Sequence, residues 1–198
     1  MNLRPISRAE LPVGTVDLAR YLLGKIIVRV LPEGEVSGRV VEAEAYPPGD
    51  AALHAYRGIT PRNRSLFKQH GHAYVYLCYG VSQMLNISSE ADGVGAGVLF
   101  RAVEPLTGVT HMMERRATTR LLDLTRGPGR LAQAFGIDRQ LDGLDLCDAA
   151  ALHVATDGAE FGEIGVSARI GITRDADRPL RFYLRGSRFV SGPGRLNL

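Results

Sequence analysis

The run Val36–Tyr46, "VSGRVVEAEAY", dictates what must surround it. In its second half Val41, Ala43 and Ala45 alternate with Glu42, Glu44 and Tyr46. That period of two is a β-strand with one apolar and one polar face. Such a strand needs partners, and the chain is rich in them. "KIIVRVL" (25–31) precedes it across Pro32-Glu33-Gly34, and "AYVYLCYGVSQMLNIS" (73–88) reads as two strands around Tyr79-Gly80. "GVLFRAVEP" (97–105), "ALHVAT", "VSARIGI" and "LRFYLRG" read the same way.

Helical signals are fewer. Thr15–Leu23 is one, with Thr15 as N-cap and Gly24 as stop. Pro61–His70 is another, capped by Thr60 and followed by Gly71. Residues 107–124, and "RLAQAFGI" after Gly127-Pro128-Gly129, complete the set. Strands do not alternate with long helices, so a doubly wound sheet is disfavoured. The expected fold is α+β: a single domain over 1–198, with a mostly antiparallel curved β-sheet, surrounding helices and a protruding β-hairpin.

A chain of 198 residues suits one domain with a sizeable core. No apolar run approaches a membrane span, and the N-terminus has no apolar signal core. A cytoplasmic monomer is expected, nucleoid-associated if bacterial. Cys78 and Cys147 cannot build a zinc or iron–sulfur site by themselves, and no His, Asp or Glu cluster has metal-ligand spacing. No cofactor is expected. The net charge is +3, and the basic residues are 22 arginines plus Lys25 and Lys68. That balance permits an anionic partner.

Four constellations could carry chemistry. Arg101 lies inside the apolar run "VLFRAVE" and needs a carboxylate partner if buried. Glu42, Glu44 and Glu104 all qualify, and a structural ion pair is the plain alternative to a catalytic one. Tyr74 and Tyr76 share one strand face, while Tyr79 sits at a hairpin tip where packing gives it no reason to be. Arg57, Arg62, Arg64 and Lys68 cluster near a helix start, which suits phosphate or simply a solvated face. Finally, "LTRGPGRLAQAFG" presents a Gly-x-Gly turn before a helix. It is similar to the hairpin of helix-hairpin-helix glycosylases, in which a catalytic Asp lies downstream, here Asp148. The strand-rich surroundings weigh against that likeness.

Taken in order, "VVEAEAY", "HAYRGITPRN", "GHAYVYLCYG", "LNISS", "LFRAVEPLTG", "GPGRLAQAFGI" and "RPLRFYLRGS" resemble the alkyladenine (3-methyladenine) DNA glycosylase family over residues 10 to 192. The resemblance implies a base-excision repair enzyme acting on duplex DNA that contains damaged purines: 3-methyladenine, 7-methylguanine, hypoxanthine or ethenoadenine. It implies Glu44 as general base and Arg101 as the arginine that helps hold the nucleophilic water. Tyr46 and Tyr76 match the aromatics that stack on the flipped base, and His54 the histidine that stacks on it and hydrogen-bonds it. Asn86 matches the asparagine that discriminates against the guanine 2-amino group, and Tyr79 the residue that fills the vacated space. Arg57, Arg62, Arg64 and Arg130 are expected to meet the DNA backbone. The loop "PPGDAAL" before His54 is one residue shorter than the family pattern. An aromatic cage of Tyr46, Tyr76 and His54 should attract cationic alkylated purines, by roughly 0.5–2 kcal/mol per good cation–π contact. Neither lysine lies in a matched motif, so no Schiff-base lyase step is expected. The competing readings are a non-catalytic damage-sensing module and a helix-hairpin-helix glycosylase using Asp148.

Overall fold

The apolar run Ile26–Leu31 (β2) and the long strand Gly34–Tyr46 (β3) pair antiparallel, from Ile26 opposite Arg39 to Leu31 opposite Gly34. Only Pro32 and Glu33 separate them. The computed structural model that contains them describes residues 3–149, 151–194 and 197. Along one edge β3 pairs with Gly97–Thr107 (β6). Along the other it pairs first with β2 and then, over Glu42–Glu44, with Arg181–Leu184 (β9). Leu152–Thr156 (β7) and Arg4–Pro5 (β1) extend the β2 side, while Ser82–Ser88 (β5) and Ala73–Cys78 (β4) extend the β6 side. Ile164–Ser167 (β8) pairs with β9. Every strand pairing among the described residues is antiparallel. Thr15–Leu22 (α1), Val109–Arg116 (α2) and Pro128–Ala134 (α3) flank the sheet. Leu18, Leu22, Leu131 and Phe135 join Val40, Ala43 and Phe100 in one apolar core. The α+β expectation holds.

Several local expectations change. Thr15 begins α1 rather than capping it, and both its N–H and its hydroxyl donate to the Glu90 carboxylate, at 2.8 and 2.6 Å. Residues 61–70 do not form an α-helix; only Arg64–Phe67 makes a short 3-10 turn. The reason is Asn63, which is buried. Its amide donates to the carbonyls of His54 and Gly58 and accepts from the N–H of Thr60. A side chain committed to neighbouring backbone in this way competes with helix formation. Gly71, expected after that helix, serves a close crossing instead: a Cβ there would meet Cys147 Sγ at 2.9 Å. The segment 107–124 is α-helical only over α2, because Gly108 and Ala117 bound it in left-handed conformations, and Leu121–Asp123 adds a short 3-10 turn. The two cysteines are free thiols.

The hairpin between β4 and β5 closes through Tyr79, Gly80 and Val81, with Cys78 opposite Ser82. Tyr79 and Gly80 both have positive φ, 49° and 70°. Tyr79 is 92% exposed. Backbone strain on a large exposed aromatic has no packing return within the chain.

The largest surprise is β3 itself. Val41, Glu42, Ala43, Glu44 and Ala45 are all buried, so the polar row has no solvated face. The strands are also irregular there. Val40 pairs with Val103 and Glu42 with Ala102, which leaves Val41 unpaired toward β6. Ala43 then pairs with Phe100, which leaves Arg101 as the extra residue on β6. Two offset bulges of this kind restore the register beyond them and re-aim the side chains between them, a habit of strands beside functional sites.

Candidate active site

Between the bulges, two carboxylates and two guanidinium groups meet out of solvent. Arg101 Nε donates to Glu42 Oε1 at 3.0 Å, and its Nη1 lies 3.2 Å from Glu44 Oε1. Arg181, in β9, donates through Nε to the same Glu42 oxygen at 2.6 Å. The Ser191 N–H supplies Glu42 Oε2 at 2.7 Å. Glu44 is held differently: the Ile170 N–H reaches Oε1 at 2.7 Å, and the Tyr46 hydroxyl donates to Oε2 at 2.9 Å. The residues around 170 and 191 therefore lie over the polar row and replace the water that the alternation had predicted. Glu104, the other candidate partner for Arg101, is half-buried and outside this cluster.

The two carboxylates are pushed in opposite directions. Burial works to raise both. For Glu42 the charges of Arg101 and Arg181, with bonds from Ser191 and Arg181, outweigh it, and its pKa falls below the usual range. For Glu44 burial prevails over Arg101 and the Ile170 and Tyr46 bonds, and its pKa rises. Neighbouring titratable groups driven apart in this way mark out different roles. Glu42 is held as the counter-ion of two arginines, and Glu44 is the more readily protonated carboxylate.

The Tyr46 hydroxyl links this pair to an open cavity that Tyr46 itself lines. Tyr46, His54, Tyr74, Tyr76, Asn86 and Gly97 are among its lining residues. Tyr74 and Tyr76 stack with centroids 5.4 Å apart, and His54 meets Tyr76 edge-to-face at 4.4 Å. His54 projects at the mouth, but its ring is packed on these tyrosines and its Nδ1 lies 2.9 Å from the Tyr74 hydroxyl. Burial of the ring, and then the charge of Arg62, lower its pKa and favour neutral imidazole. Gly97 keeps the cavity floor open to a close approach of β5 and the Leu66 side chain, since a Cβ would lie 2.9 Å from the Ile87 carbonyl and 2.8 Å from Leu66. The Asn86 amide donates to the Tyr74 carbonyl at 3.2 Å.

Six predicted residues thus come together: Glu44 and Arg101 at the carboxylate cluster, and Tyr46, His54, Tyr76 and Asn86 around the cavity. Tyr79 stands apart at the hairpin tip. Arg57, Arg62 and Arg64 are exposed, and Arg130 pairs with Asp123 at 3.0 Å. Asp148 is exposed on a turn, within a sheet-based fold, which removes the helix-hairpin-helix reading. Both lysines are engaged elsewhere, Lys25 over the Tyr21 ring and Lys68 on the Gly143 carbonyl. No group of His, Cys, Asp or Glu able to hold a metal occurs among the described residues. No helix among them is long and apolar enough to cross a membrane.

Two contributors were missed. Arg181 obeys the logic applied to Arg101, a cation inside an apolar strand run, and could have been found. Arg169, with its pairing to Asp50, could not. They are buried together at 2.8 Å across 119 residues of chain, and nothing local marks them as a pair.

The geometry sets a buried carboxylate, Glu44, at the edge of an aromatic-lined cavity, joined to it by the Tyr46 hydroxyl. Comparison with known proteins supplies the family. The model of the methylpurine-DNA glycosylase family matches residues 10–188, and the chain belongs to that family. It is 65% identical over 192 residues to a protein of Mesorhizobium japonicum, covering 97% of this chain and 92% of that one. It is 52% identical over 194 residues to one of Paraburkholderia phytofirmans, covering 97% and 90%. Both carry the name "Putative 3-methyladenine DNA glycosylase".

Proposed function

We propose that the chain is a monomeric, single-domain enzyme that extrudes damaged purines from duplex DNA into this cavity and hydrolyses the N-glycosidic bond. The observation that carries the reading is the Tyr46 hydroxyl, which joins the wall of the base cavity to the Glu44 carboxylate. Extrusion costs a few kcal/mol, least at a damaged pair. Tyr79, already projecting, would enter the gap and replace the lost stacking. A water held by Glu44, Arg101 Nη1 and the Ile170 carbonyl, itself 3.5 Å from that nitrogen, would face the sugar carbon. As positive charge builds on the sugar, Glu44 stabilises it and takes the water's proton. Purines alkylated at N3 or N7 leave as neutral bases and need no acid. Asn86 would test the 2-position of the ring. Arg57, Arg62, Arg64 and Arg130 would meet phosphates. With both lysines engaged away from the site, the product would be an abasic site with its strand intact.

The test is release of bases from duplexes carrying 3-methyladenine, 7-methylguanine, hypoxanthine or ethenoadenine, run with and without borohydride. Release of at least one base without a trapped covalent adduct is expected. A protein that binds these duplexes but frees nothing would instead be a damage-sensing module.

The raised pKa of Glu44 sets the acid limb of the rate. The carboxylate must be ionised to act as base, so kcat/KM rises with pH through a value above 4.5, that of an ordinary glutamate. In Glu44→Gln that limb disappears from whatever activity remains. A limb that persists in the variant assigns the titration to another group.

Tyr79→Ala should lower the flipped fraction, read by a fluorescent base analogue, more than it lowers overall DNA affinity. Affinity itself should fall with salt at a log–log slope of about −0.9 per phosphate neutralised. An unchanged flipping equilibrium removes the wedge role.

A further inference from the structure

The peptide that holds Glu44 lies in a stretch without regular structure. β8 ends at Ser167, and among the described residues 168–174 make no backbone-to-backbone hydrogen bond. Yet the Ile170 N–H is held 2.7 Å from Glu44 Oε1, and its carbonyl 3.5 Å from Arg101 Nη1. The anchor of this stretch is the buried side chain of Arg169. Its guanidinium donates to both oxygens of Asp50 at 3.0 and 2.8 Å, to the Ala45 carbonyl at 3.0 Å and to the Asp175 carbonyl at 3.1 Å. It also lies 4.5 Å from the Tyr46 ring centroid.

The same cluster reaches the other loop of the site. Asp50 lies in the chain between Tyr46 and His54, has no exposed surface, and accepts the Ala52 N–H at 2.9 Å. Asp175 Oδ2 accepts the Ala51 N–H at 2.8 Å, and Arg178 pairs with Asp50 at 2.8 Å. Two arginines thus face two aspartates, so the cluster is charge-balanced and contributes geometry rather than a net field. A forked guanidinium fixes direction as well as distance. We propose that Asp50 and Arg169 are positioning residues for base release: their buried pair bolts the loop between Tyr46 and His54 to the segment that sets the Ile170 peptide against Glu44 and Arg101. Neither residue lines the cavity, so each acts through others. This rests on the glycosylase reading and carries it to a layer of residues behind the site.

The experiment is single-turnover release, across pH, of a damaged base that the wild type frees, with DNA affinity measured alongside. Arg169→Met removes the anchor. Arg169→Lys keeps the charge balance and a bond to Asp50, but a single ammonium lacks the fork that also reaches both carbonyls. Arg39→Lys is the matched control: Arg39 forks on Asp157 at 2.7 and 3.3 Å and on the Gly24 carbonyl at 2.9 Å, and none of these three lines the cavity. Release should slow about tenfold in Arg169→Lys and about 10²-fold in Arg169→Met, as expected for a misplacement of about 1 Å, with DNA affinity unchanged. The acid limb gives a readout that lost stability alone would not move. Glu44 faces Arg101 from β6, Glu42 and Tyr46 from its own strand and Tyr76 from β4, with Arg181 of β9 beyond Glu42. The Ile170 N–H is one of the groups that favour its ionised form. Loosening that bond keeps the carboxyl protonated to higher pH, so the limb should move up in both Arg169 variants and stay in place in Arg39→Lys. Release in Arg169→Met close to the wild-type rate, or a limb that does not move, overturns the proposal. Should that variant not fold, Arg169→Lys decides by the same criterion. A wild type that frees no damaged base defeats the glycosylase reading instead.

Discussion

Glu44→Gln is expected to leave the protein folded and able to bind DNA, and to slow base release by about 10²–10⁴-fold. The fold should survive because the amide oxygen can still accept the Ile170 N–H, and its NH2 can donate to the Tyr46 hydroxyl. Arg101 keeps Glu42 as its counter-ion, so no buried charge is orphaned. What is lost, on the proposed mechanism, is the group that accepts the water's proton and balances the cationic sugar. Single-turnover release from a hypoxanthine duplex, with binding followed by gel shift, separates the two effects. A variant within tenfold of wild type would exclude Glu44 as the base. Glu42→Gln should behave otherwise. It removes the partner of two buried arginines, and its main effect should be on stability.

That difference was only half legible in the sequence. Period-2 alternation places Glu42 and Glu44 on one face and cannot rank them; the choice of Glu44 came from the ordered family motifs. The need of Arg101 for a carboxylate was readable, because a charge in an apolar run has few options. The fate of the polar face was not. It is covered by residues around 170 and 191, more than 120 positions away, and only tertiary structure brings a backbone N–H from each onto a carboxylate. The helix expected over 61–70 failed for a related reason. Asn63 is committed to the loop carrying His54, so the segment that looked like a phosphate-binding helix start instead positions the histidine. The hairpin was legible because turn chemistry is local: Gly80 and an exposed aromatic said enough. The arginine beneath Tyr46 was invisible, since "VSARIGI" reads as strand while only Ile164–Ser167 pairs. Arg169, outside the motifs, thus lies against Tyr46, its guanidinium 4.5 Å from the ring centroid.

Arg181→Met carries the second large effect, on stability. The side chain has no exposed surface and donates to Glu42 at 2.6 Å, to Ser167 Oγ at 2.8 Å, to the Ser191 carbonyl at 3.0 Å and to Asn197 at 2.6 Å. Methionine fills much of the space but satisfies none of these acceptors. Breaking a buried pair costs about 3–5 kcal/mol when the surviving charge is left alone. Here Arg101 and the Ser191 N–H still hold Glu42, so the lower end, about 3 kcal/mol, is expected. For a domain of this size that corresponds to a fall in Tm of about 6–12 °C. The pH dependence supplies the check on cause. Glu42 has a lowered pKa in the folded protein, so its contribution is present above its unfolded value of 4.5 and is lost as pH falls through the folded one. Arg181 is one source of that lowering, so the variant has less to lose on acidification. The gap in Tm between wild type and Arg181→Met should therefore be widest near neutral pH and narrow below pH 4.5. A gap that stays constant with pH would trace the loss to packing and to the Ser167 and Ser191 bonds, and would remove Arg181 from the electrostatic support of the Glu42–Arg101 pair.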